Sequence, residues 1–305
     1  MNILTIQSAL ELGIIYALLA LGSFISYRTL NFPDLTVEGS YTLGAAVSVM
    51  VTLTGRPYLS LLAAFAAGAV AGYLTALLST KLKIQPLLAG ILMMLGLYSI
   101  NLKIMGNRAN INLINQRNIY SIFEGTMLEN FQTLLTASLL LAFILLLLYL
   151  FLKTKLGFVL RATGDNQNMV RALGTNTDFT TILGLSLSNG LVGLCGAMIA
   201  QEQLFADVGM GIGMVVIGLA SVIIGEVLFG INTLFRRMMA VVLGAIVYRF
   251  VITIVLELGM PSTDLKLISA IIVALALAMP VIKKKMELAR KKRANLRGGK
   301  NSVKN

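Results

Sequence analysis

The sequence predicts an all-α, polytopic integral membrane protein, and three observations carry that reading. Of the 305 residues, 57% are apolar and only 12% are charged, where soluble domains hold roughly a quarter charged. Mean hydropathy is +0.85 over a length at which a single soluble core stops growing, so lipid must be part of the solvent. Windows long and apolar enough to cross a bilayer recur near 5–27, 36–54, 58–80, 87–105, 131–153, 180–201, 212–231, 237–258 and 264–282. That makes about nine transmembrane or re-entrant helices, within a range of eight to ten.

Seven of these windows are plain. The window 36–54 is weaker because it opens next to Asp34 and Glu38. The window 212–231 contains Glu226 among several glycines, so either could be a broken or re-entrant element. No basic residue precedes Arg28, so the first apolar run lacks the charged lead of a cleaved signal and is expected to stay in the mature protein. Orientation follows from the 25 Lys and Arg. With the C-terminus inside, the cytoplasmic side collects Arg28, Lys81, Lys83, Lys153, Lys155, Arg161, Arg171, Arg236, Arg237 and the cluster beyond 282. The outer side keeps Arg56, Lys103, Arg108, Arg117 and Lys266. This bias at every alternation predicts an outside N-terminus. The chain divides into a membrane domain, 1–282, with a cytoplasmic loop at 154–179 and an outer loop at 106–130, and a basic cytoplasmic tail, 283–305.

Composition also excludes functions. The chain has one cysteine, Cys195, in an apolar run, and neither His nor Trp. Disulfide frameworks, zinc sites and His-based catalysis have no support, and no cofactor is expected. The net charge of +12 is concentrated in the tail, where it suits anionic lipid rather than nucleic acid. No stretch matches the phosphate-cradling pattern G-x-x-x-x-G-K-[ST], so this chain is not expected to be an enzyme that hydrolyses nucleotide. Uphill solute movement would then need an ion gradient or a separate ATPase.

In the 154–179 loop, Asp165 is placed to cap a short helix over 166–173, and Gly174 to close it in the left-handed conformation. Met169, Val170 and Leu173 form one apolar stripe on a helix too short to be stable alone. Such a helix wants a surface, either a protein groove or lipid headgroups assisted by Arg161 and Arg171. Asn31 and Phe32 lead into Pro33, which ends what precedes it, and Asp34 then caps the second span at its cytoplasmic entrance or lines a solute path. Glu38, one turn further in, and Glu226 are costly at membrane depth and read as paired or facing a wet cavity. Gly225 and Gly230 would let the backbone near Glu226 leave a regular helix, and Arg249 would pair with one of the acids or snorkel. Gly68 and Gly72, with Gly190, Gly193 and Gly196, read as close helix packing. Asn101, Asn107, Asn110, Asn112 and Asn115 are either a wet loop or a docking surface at the outer mouth.

The run L-R-A-T-G-D-N-Q-N-M-V-R-A-L-G-T-N-T-D, preceded by Thr154-Lys155-Leu156-Gly157, resembles the coupling segment of ABC importer permeases of the branched-chain amino acid and ribose type. Three further stretches agree in order: Leu12 to Gly22, Gly190 to Ala197, and Gly218 to Gly230. The segment Asn31 to Ser40 is similar to a narrower group of permeases assigned to tryptophan/tyrosine import. The chain departs from the branched-chain pattern at Asn31-Phe32-Pro33-Asp34-Leu35 and at Gly225-Glu226.

The resemblance implies a permease subunit working with ATP-binding cassette subunits, an extracytoplasmic solute-binding protein and a second permease, identical or closely related. It implies that Arg161, Asp165, Met169, Val170, Arg171, Leu173 and Gly174 couple to the ATPase. Asn31, Phe32, Asp34, Glu38 and Glu226 are the candidates for the path, and the location is a bacterial cytoplasmic membrane. The alternative is an ion-gradient-driven transporter using Glu38, Glu226 and Arg249. A passive channel would need a ring of selectivity residues, and none stands out. An apolar lining of Met and Phe suits an aromatic amino acid or a nucleoside equally.

Overall fold

The computed structural model describes residues 3–123, 129–260, 264, 267–275 and 278. Its helices are α1 (Ile3–Ser23), α2 (Thr36–Leu53), α3 (Pro57–Thr80), α4 (Pro86–Ile104), α5 (Gln132–Lys153), α6 (Lys155–Asp165), α7 (Gln167–Ala172), α8 (Thr177–Gln203), α9 (Met214–Phe229) and α10 (Leu234–Glu257). Among the described residues, six helices are long and apolar enough to cross a membrane: α1 with its extension to Thr29, α3, α4, α5, α8 and α10. The two windows flagged as weak become the 18-residue α2 and the 16-residue α9. Of the window 264–282 only positions 264, 267–275 and 278 are described, with 267–275 helical, and the tail 283–305 lies outside the described residues.

Helix starts follow local chemistry. Pro57 and Pro86 occupy first-turn positions of α3 and α4, where a missing N–H costs nothing. Thr154, Asn176 and Thr233 each turn a side-chain oxygen onto a free backbone N–H at the starts of α6, α8 and α10. The end of α1 is looser. Its last turn, Phe24–Thr29, is π-helical, and Leu30 N–H reaches the Ile25 carbonyl at 2.9 Å. Wide turns of this kind occur often at functional sites.

The layers separate by solvent. α1 and α8 are central and buried on nearly every side, from Gly13 to Ile25 and along Ser188 to Gln201. By contrast α3, α4 and α5 turn Leu62, Val70, Leu92, Leu95, Phe143 and Leu147 outward, a surface compatible with lipid and not with water. Close approach at the centre depends on small residues. A Cβ on Gly196 would collide with the Tyr41 carbonyl of α2, and Gly44 sits directly on the Gly193 backbone, so α2 and α8 touch backbone to backbone. Gly68 and Gly72 do the same between α3 and α8, against the carbonyls of Asn189 and Leu185.

The 106–130 loop is not simply wet. Asn110–Asn112 pairs antiparallel with Phe205–Asp207 as a two-stranded ribbon, an exception to the all-α expectation. Leu113, Ile119 and Tyr120 are buried, and Ile119 N–H donates to Gln201 Oε1 at 2.9 Å. Tyr120 donates its hydroxyl to the Met198 carbonyl at 3.1 Å, and burial pushes its phenol well above the ordinary range, so it remains a donor. Gln201 then donates to Ser48 and Ser60, which ties the loop to α2, α3 and α8 at once.

Candidate functional site

The chain turns sharply between α1 and α2. Asn31 adopts a left-handed conformation (φ 52°), Phe32 is buried with its N–H on the Ser26 carbonyl, and Pro33 bars a helix across the turn. Asp34 is buried. Its Oδ1 accepts the Thr36 N–H at 2.9 Å, and its Oδ2 accepts from Asn189 Nδ2 at 2.7 Å. Thr36 in turn shares a 2.8 Å hydroxyl contact with Thr75 of α3. Asn189 stands at the middle of α8, so Asp34 is not at the cytoplasmic entrance of its span, as the sequence suggested, but near mid-depth. The cap position itself belongs to Leu35.

Glu38 lies one turn further along α2. Its Oε1 accepts the N–H of Gly213, the residue from which α9 departs, at 2.9 Å. The starts of the two shorter helices, α2 and α9, therefore lie side by side, and the residues preceding α9 fold against Glu38 and Thr42. Helix starts present unpaired N–H groups and positive dipole ends, and irregular backbone at such depth is tolerated only within protein or around a cavity. A cavity of about 290 Å³ is found there, lined by Glu38, Thr42, Met94, Tyr98, Asn101 and Ile212 among others. Asn101 donates to the Gly39 carbonyl at 3.2 Å, while its Oδ1 is buried with no hydrogen bond among the described residues. Tyr98 and Leu95 are exposed on the outer face of α4. The cavity thus opens along that helix.

Glu226 belongs elsewhere. The α9 helix runs unbroken through it, contrary to the expectation that its glycines would interrupt the backbone, because Gly225 is used for contact with the Ala240 carbonyl of α10. Its carboxylate is gripped by Arg28 at the end of α1, with Nε at 3.0 and 2.8 Å from its two oxygens and Nη2 closing the fork. Arg249 pairs with neither acid in the observed contacts. Its guanidinium lies 5.8 Å from the Tyr16 ring centroid.

The 154–179 loop folds as two helices. α6 was not foreseen as a separate element; Leu160 and Thr163 bury its inner face, and Gly164 lies against the Thr29 carbonyl. α7 is capped by Asn166, whose Oδ1 accepts the Met169 N–H at 3.0 Å, and not by Asp165, which is the last residue of α6. The shift follows from α6: Asp165 has helical neighbours, and the extended residue after it is the one free to cap. Gly174 is left-handed (φ 79°). The expected apolar stripe is divided. Val170 is 3% exposed and packs inward, while Met169 and Leu173 are 49% and 75% exposed. Arg171 turns to Thr177 at 2.6 Å and to Asp178, anchoring α7 to the start of α8. Arg161 and Asp165 line a cavity beside Arg28.

The sequence reading missed Asn189, Ser188 and Gln201, the polar residues along α8 that fix α1, α2 and α3. Their only signal was their placement among the closely spaced glycines already noted.

A bundle of apolar helices with two shorter helices, α2 and α9, meeting at a cavity inside it is the architecture of a membrane transport protein. The chain belongs to the family described as branched-chain amino acid transport system / permease component, whose model matches residues 5–278. It is thus a multi-pass permease of the cell membrane, in a family of transport components rather than enzymes. It is 43% identical to a tyrosine transport system permease protein of Clostridioides difficile, over 90% of each chain. It is 37% identical to an uncharacterised protein of Rickettsia prowazekii, over 91% of this chain and 98% of that one. A probable branched-chain amino acid transport permease of Methanocaldococcus jannaschii is 32% identical over 64% of this chain and 66% of its own. No solved structure matches.

Proposed function

We propose that this permease forms the translocation path of an ATP-driven importer for an aromatic amino acid. The observation that carries the reading is the meeting of α2 and α9 at Glu38, where the Glu38 carboxylate, the backbone leading into α9 at Gly211 and an apolar wall of Met94, Leu95, Tyr98 and Ile212 border one cavity. An amino acid brings the complementary chemistry. Its ammonium suits Glu38, and its ring suits the wall. Likeness to a permease named for tyrosine transport supports that choice over a nucleoside.

Separate ATPase subunits would dock on α7 through Met169 and Leu173, with α6 carrying the motion to the end of α1, where Gly164 meets Thr29. A second copy of the permease would complete the path along α4, and a solute-binding protein would deliver from the outer ribbon. The test is uptake into proteoliposomes holding the permease, its ATPase and its binding protein, with tyrosine, leucine and a nucleoside as competing solutes. Tyrosine is expected to be accumulated at the expense of ATP. Accumulation of leucine or the nucleoside with no tyrosine transport would refute the solute assignment.

A further inference from the structure

A second cavity, of about 250 Å³, lies between the end of α1, α6 and the start of α10, and is lined by Arg28, Arg161, Arg237, Asp165, Thr29 and Asn232 among others. Three guanidinium groups converge from three parts of the chain. Arg28 is already committed through Nε and Nη2 to Glu226, which offsets its charge. Arg161 and Arg237 are different: the Nε of each is buried and makes no hydrogen bond among the described residues. Neither guanidinium has a side-chain hydrogen bond or ion pair among the described residues, Arg161 meeting only the Phe158 ring at 5.7 Å, and two such unpaired cations lining one cavity favour an oxyanion. Asp165, the acid of the lining, offsets one of these two charges and leaves one over. The start of α10 at Leu234 meets the ends of α6 at Asp165 and of the α1 extension at Thr29 on the same wall, so the opposed helix dipoles offset one another and the arginines are the source of positive field.

We propose that this cavity binds a singly charged phosphate group, the phosphodiester of an anionic phospholipid headgroup. The charge left over matches a monoanion, the Arg fork matches phosphate geometry, and the position at the ends of two membrane helices, on the face carrying α6 and α7, is where a headgroup reaches. Because α6 forms one wall and leads directly into α7, a bound headgroup would steady α6 against α1 and α10. This site is independent of the solute proposed above.

The full-length permease is to be purified with phosphatidylglycerol or phosphatidylcholine supplied in equal amount, and the retained lipid counted by native mass spectrometry. The wild type is expected to retain phosphatidylglycerol at least tenfold more than phosphatidylcholine, because the choline cation would restore the uncompensated charge. The R161Q/R237Q variant is expected to lose that preference. R161K/R237K keeps the charge but not the fork and is expected to fall between, which keeps the proposal testable if the glutamine variant fails to fold. Competition by inorganic phosphate would show that free phosphate shares the site, and resistance would show that the lipid alone fills it; either agrees with phosphate recognition. Equal retention of the two lipids by the wild type, or an undiminished preference in a folded glutamine variant, would overturn it. So would loss of ATPase retention in that variant with lipid binding unchanged, since the arginines would then serve a protein carboxylate.

Discussion

Replacing Met169 and Leu173 by Ala tests the docking role proposed for α7. Both side chains are substantially exposed, at 49% and 75%, so truncating them removes little from the permease's own packing. Full burial of such a side chain contributes roughly 2 kcal/mol, and scaling by the exposed fractions gives about 2.5 kcal/mol for the pair on covering by a partner. That corresponds to a loss of roughly 70-fold in affinity. Changing both to Asp adds the cost of burying carboxylates against an apolar surface, at least several kcal/mol, and is expected to abolish association. The assay is retention of the ATPase during purification of the tagged permease, with membrane abundance as the control. Val170 supplies the contrast. It is buried within the chain, so V170A is expected to lower the melting temperature of the permease by itself. Normal ATPase retention by both double variants at normal abundance would refute the assignment of α7 as the docking element.

Three further expectations concern the fold that supports the site. E226Q leaves Arg28 facing a neutral amide and should destabilise by about 1–3 kcal/mol once screening at the half-exposed Arg28 is allowed for; R28Q/E226Q should recover part of this in thermal unfolding, and a double variant worse than the sum of the two would exclude the pairing. D34A and N189A should each cost about 1–3 kcal/mol by orphaning a buried partner, and a double-mutant cycle should show coupling, additivity being the contrary result. G196A forces α2 from α8 and should cost about 1–3 kcal/mol, while G96A on α4, where a Cβ meets nothing within 4 Å, should be silent; equal melting temperatures would contradict the close approach.

Much of this architecture was legible in the chain. Runs such as Leu134 to Leu152 announce helices in lipid by hydropathy alone, and the glycines of α8 announced close packing by their spacing. The Asn166 cap was one residue from the reading, because whether Asp165 is free to cap depends on α6 persisting through it, which is decided by the burial of Leu160 and Thr163. Depth was not legible. Asp34 looks like an entrance cap beside Pro33, and only its bond to Asn189, far along the chain, places it at the middle of the bundle. The same holds for Glu226, whose partner Arg28 is supplied by the end of α1. Val170 shows the converse limit, since helical spacing groups it with Met169 and Leu173 while packing against the chain itself removes it from the surface.

The claim that this permease carries solute past Glu38 at the expense of ATP is tested most directly by one transport measurement. Proteoliposomes holding the permease with its ATPase and binding protein are loaded with ATP, proton and sodium gradients are collapsed with ionophores, and labelled tyrosine uptake is compared between wild type and E38Q. The expected result is that wild-type uptake persists without the gradients and that E38Q, with its ATPase still bound, falls at least tenfold. Wild-type uptake that vanishes with the gradients while ATP is held constant, or an E38Q variant that transports normally, would contradict the account.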